Sequence, residues 1–327
     1  MSKPRILFLL TLDTEEEWDW DGPFPASPFS TRNTSRIPLF QAFCRRLGIR
    51  PTYFVDSAVC QNAESVGHLQ RALDLGECEI GAHLHPWCTP PVMEEVNPEN
   101  SHIVNLPLPL VRQKLQNLSG QIEETLGVRP VSFRAGRWGM NGPVLRLLAE
   151  EGYQVDSSVF PLYSDIGFSY RAAPFVPYWP DFSDGLVPGA QREILEIPVS
   201  SGFNRGNFGL LESIHGTLSS LPWRLFRGVG ILWHLGLLRK INVSPELCAA
   251  RDMKSCIESY LKRAHPVVNM FLHSSSLLPG CTPYVSSEAD VERLYRAIEE
   301  TFRFLDSKAE VLPCTASAAR DMLVEGL

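Results

Sequence analysis

The chain has 327 residues, 44% of them apolar and 10% aromatic, and a formal charge of −7. That composition supports a sizeable core and excludes a disordered or low-complexity chain. The acidic balance argues against a nucleic-acid binder, which carries a basic face.

Arg5 to Leu12 is a nearly continuous apolar run of strand length, as expected of a strand buried on both faces. It ends in Asp13-Thr14-Glu15-Glu16-Glu17. Free carboxylates are too costly inside a core, so the strand end opens on solvent or on a cation. Asp13 and Glu15 share a face if the strand continues that far. The immediate turn to acids, with no small-residue cleavage site, reads as a first strand and not as a signal peptide. A cytoplasmic protein is the expectation. The eight cysteines are scattered without a C-x-x-C pair, which suits reduced thiols better than a disulfide framework.

Thr34 or Ser35 is positioned to cap a helix over Ile37 to Leu47, closed by Gly48. Pro51 to Asp56 reads as a second strand, Ala63 to Leu75 as a helix closed by Gly76, and Glu79 to His83 as a third strand. Short strand–helix–strand alternation predicts a parallel sheet or barrel, in which chemistry gathers at the carboxyl ends of the strands. His83 and His85 stand at such an end and point the same way, as two imidazoles gripping one metal ion would. An H-x-H on its own is more often a core histidine beside a loop histidine. Here Asp13 falls at an equivalent strand end, which supports a shared site.

Cys88 to Asn105 reads as a long loop and Pro109 to Leu126 as a helix closed by Gly127. Val131 to Arg134 is a fourth strand, running into Ala135-Gly136-Arg137-Trp138-Gly139. The glycines there allow close backbone approach to a ligand and match neither nucleotide-binding pattern. Asn141 caps a helix to about Glu151, and Gln154 to Ser158 is a fifth strand with Asp156 at its mouth. Residues 160–192 form a proline- and aromatic-rich loop. Its Tyr178 and Trp179 could stack on sugar rings or pack the loop's own underside. Glu193 to Ser200 is a sixth strand. Leu221 to Ile241, within an inserted apolar region of about residues 203–262, fits either a buried helix or a peripheral membrane contact. Asp252 to Arg263 is a helix, and Pro266 to Leu272 a seventh strand ending in His273. A long helix over Glu288 to Leu305, a short strand and a closing helix from about Thr315 complete the chain. The absence of repeats and linkers makes 1–327 one domain.

Taken together, the strand ends spell a known series. Thr11-Leu12-Asp13, Gly81-Ala82-His83-Leu84-His85-Pro86-Trp87, Phe133-Arg134-Ala135-Gly136-Arg137-Trp138-Gly139, Asp156-Ser157-Ser158 and Phe271-Leu272-His273-Ser274-Ser275 resemble, in order, the motifs of the polysaccharide deacetylases (NodB homology, carbohydrate esterase family 4). The WalW-type branch is the nearest. The resemblance implies an α/β fold, a distorted (β/α)7 barrel. It also implies one divalent metal, most often Zn2+, and hydrolysis of an N-acyl group on an amino sugar. By resemblance Asp13 is the base, Arg134 its positioning partner, His273 the acid and Asp156 the carboxylate paired with His273. Trp87, Arg137, Trp138, Tyr178 and Trp179 are the candidate substrate-binding residues.

Two departures stand out. The family's first motif has adjacent aspartates, whereas here Thr14 follows Asp13 and the next acid is Glu15. Its second motif has histidines four apart, whereas here Trp87 takes the second position. The metal set is therefore His83 and His85 with Glu15, or with Asp13; Cys88 is a weaker rival. The expected substrate is an intracellular or lipid-linked glycan precursor. A metal-dependent amidohydrolase of a non-carbohydrate amide and a silent glycan-binding relative are the alternatives.

Overall fold

Strand β1 (Arg5–Thr14) is the axis of the fold, and every residue after Arg5 in it is buried. The computed structural model describes residues 3–205, 208, 211, 213, 214, 217 and 238–326. Along β1 the side chains alternate between two environments, as the period of two dictates. Ile6, Phe8, Leu10 and Leu12 join the large apolar cluster that includes the helices. Leu7 and Leu9 face a smaller cluster with Phe54, Val155, Leu195 and Val267. Thr11, Asp13 and Glu15 continue that second row, so the same face turns from apolar to polar toward the strand's end.

The other strands follow from short hydrophobic runs: β2 (Thr52–Val55), β3 (Glu79–Leu84), β4 (Ser132–Ala135) and β5 (Val155–Asp156). Then come a small hairpin of β6 (Ser164–Asp165) and β7 (Phe168–Ser169), and β8 (Leu195–Glu196). An antiparallel pair of β9 (Ser201–Phe203) and β10 (Lys240–Asn242) precedes β11 (Val267–His273) and β12 (Glu310–Pro313). The main sheet runs β11-β1-β2-β3-β4-β5-β8, with β12 also paired to β1, and its pairings are parallel. The curled sheet with its helices is a distorted (β/α)7 barrel of the NodB type.

Register does the positioning. Asp13 on β1 lies opposite His273 on β11, and His83 on β3 lies opposite Arg134 on β4. Helices α1 (Ile37–Arg46), α2 (Ser57–Cys60), α3 (Ala63–Asp74), α4 (Leu108–Leu126) and α5 (Gly142–Glu150) link the first strands. Asn62 and Asn141 cap α3 and α5 through side-chain oxygens that accept N–H groups of the first turn. Gly127 closes α4 at φ +71, a conformation that favours glycine.

Some boundaries differ from expectation. A 3-10 turn over Arg32–Arg36 precedes α1, so neither Thr34 nor Ser35 caps it. The Thr34 hydroxyl instead donates to the carbonyl of Thr31. The sixth strand shrinks to Leu195–Glu196, because only two of its residues find a ladder on β5. Of the apolar segment Leu221 to Ile241, residues 221–237 lie outside the described residues. No helix among the described residues is long and apolar enough to cross a membrane. All eight cysteines are free.

Lys114 of α4 is fully buried and braces the loop that follows His85. Its ammonium donates to the carbonyls of Pro86 and Thr89, both at 2.8 Å, and pairs with Glu94 at 2.9 Å. Removing one member of a buried pair strands the other charge. Lys114→Met is expected to lower unfolding free energy by roughly 3 kcal/mol, measured by urea denaturation.

Candidate metal centre and active site

At the carboxyl end of the barrel, β1 and β3 bring Glu15, His83 and His85 together. Their ligating atoms all lie within 4.8 Å of one another. One Glu15 oxygen is 3.3 Å from His83 Nε2 and 3.4 Å from His85 Nε2. All three side chains are nearly inaccessible.

The other face of each imidazole is already engaged. His83 Nδ1 lies 3.0 Å from the carbonyl oxygen of Arg134, which can only accept. His85 Nδ1 lies 3.0 Å from Glu16 Oε2. The Arg134 carbonyl holds the proton of His83 on Nδ1, and both Nε2 atoms converge beside the Glu15 oxygen. A carboxylate behind a histidine is how metal-binding imidazoles are oriented. Two imidazole nitrogens and one carboxylate oxygen suit a zinc-like dication that keeps positions open. The residues present thus fit the divalent ion that the resemblance of the strand-end motifs implies.

Glu16 is in turn held. Its second oxygen accepts the Trp87 indole N–H, and its backbone N–H donates to Asp56 at 3.1 Å. Burial pushes Asp56 well above the usual carboxylate range, and the negative charge of Glu16 adds to the effect. Burial also raises Glu16. Cys88 sits in this outer group with Glu16, Asp56 and His85, its sulfur 3.8 Å from Asp56. Burial pushes the Cys88 thiol far up, and its sulfur belongs to the group behind His85, not to the Glu15–His83–His85 set.

Asp13 occupies the adjoining position. Burial alone would raise its pKa, but Arg134, with His83 and His273, more than offsets this and lowers it. Arg134 donates to Asp13 at 2.6 Å, to Thr11 Oγ1 at 2.8 Å and to the Ser157 carbonyl at 3.0 Å. It also lies 4.4 Å from the Phe54 ring centroid. Across β11, His273 Nε2 is 3.9 Å from Asp13 Oδ2.

The carboxylate behind His273 differs from expectation. Glu246 accepts from the His273 backbone N–H at 3.0 Å and meets its Nδ1 at 2.9 Å. Burial would lower His273, but Glu246 outweighs it and His273 is pushed up to about 10. Asp156 does not make this pair. It faces Glu196 in the barrel wall and accepts from the Ser158 hydroxyl at 2.5 Å. Burial raises both carboxyls, and the charge of Asp156 adds to the rise at Glu196. Asp156 is in register with Phe133, on the face of the sheet opposite to Arg134 and Ser157, so its side chain points away from the Asp13 and His273 row. Glu246 follows β10, a strand that no local pattern announced.

These groups open into one pocket of about 520 Å3, which Asp13, Glu15, His83, His85 and His273 line together. Of the expected substrate-binding residues, Arg137 and Trp138 also line it. Trp87 does not, because it stacks on His85 at 4.2 Å and serves Glu16. Tyr178 is buried with its hydroxyl donating to the Gly185 carbonyl at 2.8 Å. Trp179 packs on the smaller core cluster. Both therefore fill the underside of their loop. Trp18, Trp20 and Tyr284 supply pocket aromatics that the sequence reading had not singled out.

The β4 exit is tightly built. A Cβ on Gly136 would lie 2.1 Å from the His85 ring and 2.6 Å from the Leu84 carbonyl, so only glycine passes there. Arg137 and Trp138 follow at φ +55 and +68. Left-handed backbone costs a side-chain-bearing residue roughly 1–3 kcal/mol, and such strain clusters at functional sites.

No family model matches the chain, and no curated protein matches it in sequence. Solved structures do match by fold. One described as a polysaccharide deacetylase from Mycobacterium smegmatis has a TM-score of 0.57 and 17% identity, over 99% of this chain and 92% of that one. A second, a glycoside hydrolase/deacetylase from Parabacteroides distasonis, has a TM-score of 0.60 and 12% identity, over 100% of this chain and 72% of that one. The PuuE allantoinase matches at 0.52 and 15%, over 99% and 91%. Identities this low establish the fold alone.

Two expectations follow. Gly136→Ala displaces His85 and should weaken zinc affinity at least about tenfold, read by titration calorimetry. His273 should titrate near 10 by NMR. Glu246→Gln, which keeps the shape and removes the charge, should lower that value by more than about one unit.

Proposed function

We propose that the chain is a metal-dependent hydrolase that removes an N-acyl group, N-acetyl in the simplest case, from an amino sugar of a glycan precursor. The observation that carries this reading is one pocket in which a base candidate, Asp13, and an acid candidate, His273, flank the Glu15–His83–His85 group. A pocket built only for binding needs no ionised carboxylate and protonated imidazole 3.9 Å apart. Placement in the WalW-type branch belongs to the same proposal and rests on the strand-end motifs.

Glu15, His83 and His85 would hold the divalent ion, most simply Zn2+. When bound, it supplies Lewis acidity toward the acyl carbonyl and the attacking water. Asp13 takes the proton from that water as the oxygen bonds to the acyl carbon. Arg134 keeps Asp13 ionised and aims it, because its guanidinium is fixed by Thr11 and Ser157. His273 gives its proton to the nitrogen as the C–N bond breaks, which lets the amine leave. Glu246 keeps that proton on His273 through neutral pH. The products are the free amine and the acyl carboxylate. The pocket aromatics Trp20, Trp138 and Tyr284 suit the apolar faces of a sugar ring.

A second reading is an amidohydrolase acting on a non-carbohydrate amide. It is favoured by the fold match to an allantoinase, since one barrel hosts several substrates. Release of acetate from N-acetylated amino sugars, against release of ammonia or amine from non-sugar amides, decides between the two.

Asp13→Asn should reduce kcat/KM by at least about a hundredfold while metal content by elemental analysis stays that of the wild type. The lowered pKa of Asp13 places the acid limb of the wild-type kcat/KM profile below the usual aspartate value of about 3.9. The double variant His83→Ala, His85→Ala should lose the metal altogether. Full turnover in Asp13→Asn removes Asp13 from the base role.

A further inference from the structure

Resting on the deacylase reading of this same pocket, we infer that its substrate carries an anionic group, phosphate or carboxylate, and that Arg137 selects for it.

The size of the pocket is the first ground. At about 520 Å3 it falls in the range of small-molecule sites, roughly 300–1,000 Å3. It is walled by Trp18 to Phe24 on one side and by Pro98, Tyr163 and Tyr284 on others. A site of that size accommodates a free sugar derivative or a chain end.

Charge is the second ground. The carboxylates in the pocket already have local partners. Asp13 pairs with Arg134, Glu246 with His273, and Glu15 with the two histidines. Lys240 lines the same pocket, with its ammonium donating to the Leu162 carbonyl. Arg137 is oriented more than quenched. One of its Nη atoms donates to Ser101 Oγ at 2.7 Å, and the other lies 3.4 Å from Asp165 Oδ2. That same Asp165 oxygen accepts the Tyr163 hydroxyl at 2.8 Å and faces His102 at 3.7 Å, so its charge is spread over three neighbours. A guanidinium has five N–H donors in a rigid fork. Among the described residues, the remaining Arg137 donors have no hydrogen-bond acceptor. Such a fork matches the oxygens of a phosphate or a carboxylate.

Backbone placement is the third. The left-handed conformation at Arg137 and Trp138 sets both side chains on the pocket wall directly after Gly136, which abuts His85. A surface arginine serving only solubility needs no such conformation.

The competing role for Arg137 is a brace between Ser101 and Asp165. Binding measurements separate the two, because pocket tryptophans report occupancy without turnover. The probes are N-acetylglucosamine 1-phosphate, N-acetylglucosaminuronic acid and neutral N-acetylglucosamine, titrated into zinc-loaded wild type, Arg137→Gln and Arg137→Lys while tryptophan fluorescence is followed. The expected result is that at least one anionic probe binds wild type tenfold or more tightly than the neutral sugar. Arg137→Gln should close that gap, and Arg137→Lys should keep part of it. Which anionic probe shows the preference names the group. Equal affinity for charged and neutral probes, or no binding of either anionic probe, overturns the inference. So does a loss in Arg137→Gln that is the same for every probe. Acetate release is assayed in parallel. Selective anion binding without acetate from any probe would overturn the deacylase reading and leave the anion site standing. Acetate released equally from charged and neutral sugars would do the reverse.

Discussion

A fully buried guanidinium is the constraint on which the rest of this barrel depends. Arg134 has no exposed surface, and a lone charge there would be prohibitively costly. It is tolerated because β1, β2 and the residue after β5 each contribute a partner: Asp13 and Thr11, the Phe54 ring, and Ser157. The parallel register that stacks these residues around one guanidinium also puts His83 beside it on β3. The apolar row of β1 thus gives way to a polar floor one layer below the pocket. Asp13 is ionised and aimed by the same pairing that makes the buried guanidinium tolerable: each charge needs the other.

A second layer of carboxyls works behind the pocket. Glu16 orients His85, Glu246 orients His273, and the Asp156–Glu196 pair lies deeper in the wall. In each case burial alone would favour the uncharged form. The partners decide which group keeps its charge. Glu246 retains a proton on His273, whereas at Asp56 burial and the charge of Glu16 outweigh His85 and the Val59 N–H and hold it toward its protonated form. The pocket therefore presents groups of different readiness although most of them are similarly buried. Lys114 extends the principle outward by tying the loop after His85 to α4.

The metal group shows how a departure in spacing is absorbed. With histidines two apart, both imidazoles come from one extended segment and point the same way. Glu15 lies two residues after Asp13 on the same row of β1, so it reaches them from the neighbouring side. Trp87, which stands at the family's second histidine position, packs flat on His85 and donates to Glu16. Its role here is to fix an imidazole and its carboxylate.

Much of this was legible in the sequence because period-two alternation is a local property. It put Asp13 with Glu15 and His83 with His85. Buried apolar runs located the strands of the sheet apart from the extent of the fifth and sixth, and caps and glycines located most helices. The order of strand-end motifs pointed to the barrel. What the tertiary structure alone decided are the contacts between distant segments. Glu246 reaches His273 from a loop after β10, whose three residues carry no strand pattern strong enough to read. Asp156 turns to Glu196 because the two are register partners on the face of the sheet opposite to Arg134. Tyr178 and Trp179 look like sugar platforms in a list of residues, yet they pack inward because their loop needs a core of its own. Which carboxylate meets which imidazole depends on strand register and length summed over the whole sheet, and no short window of sequence contains that sum.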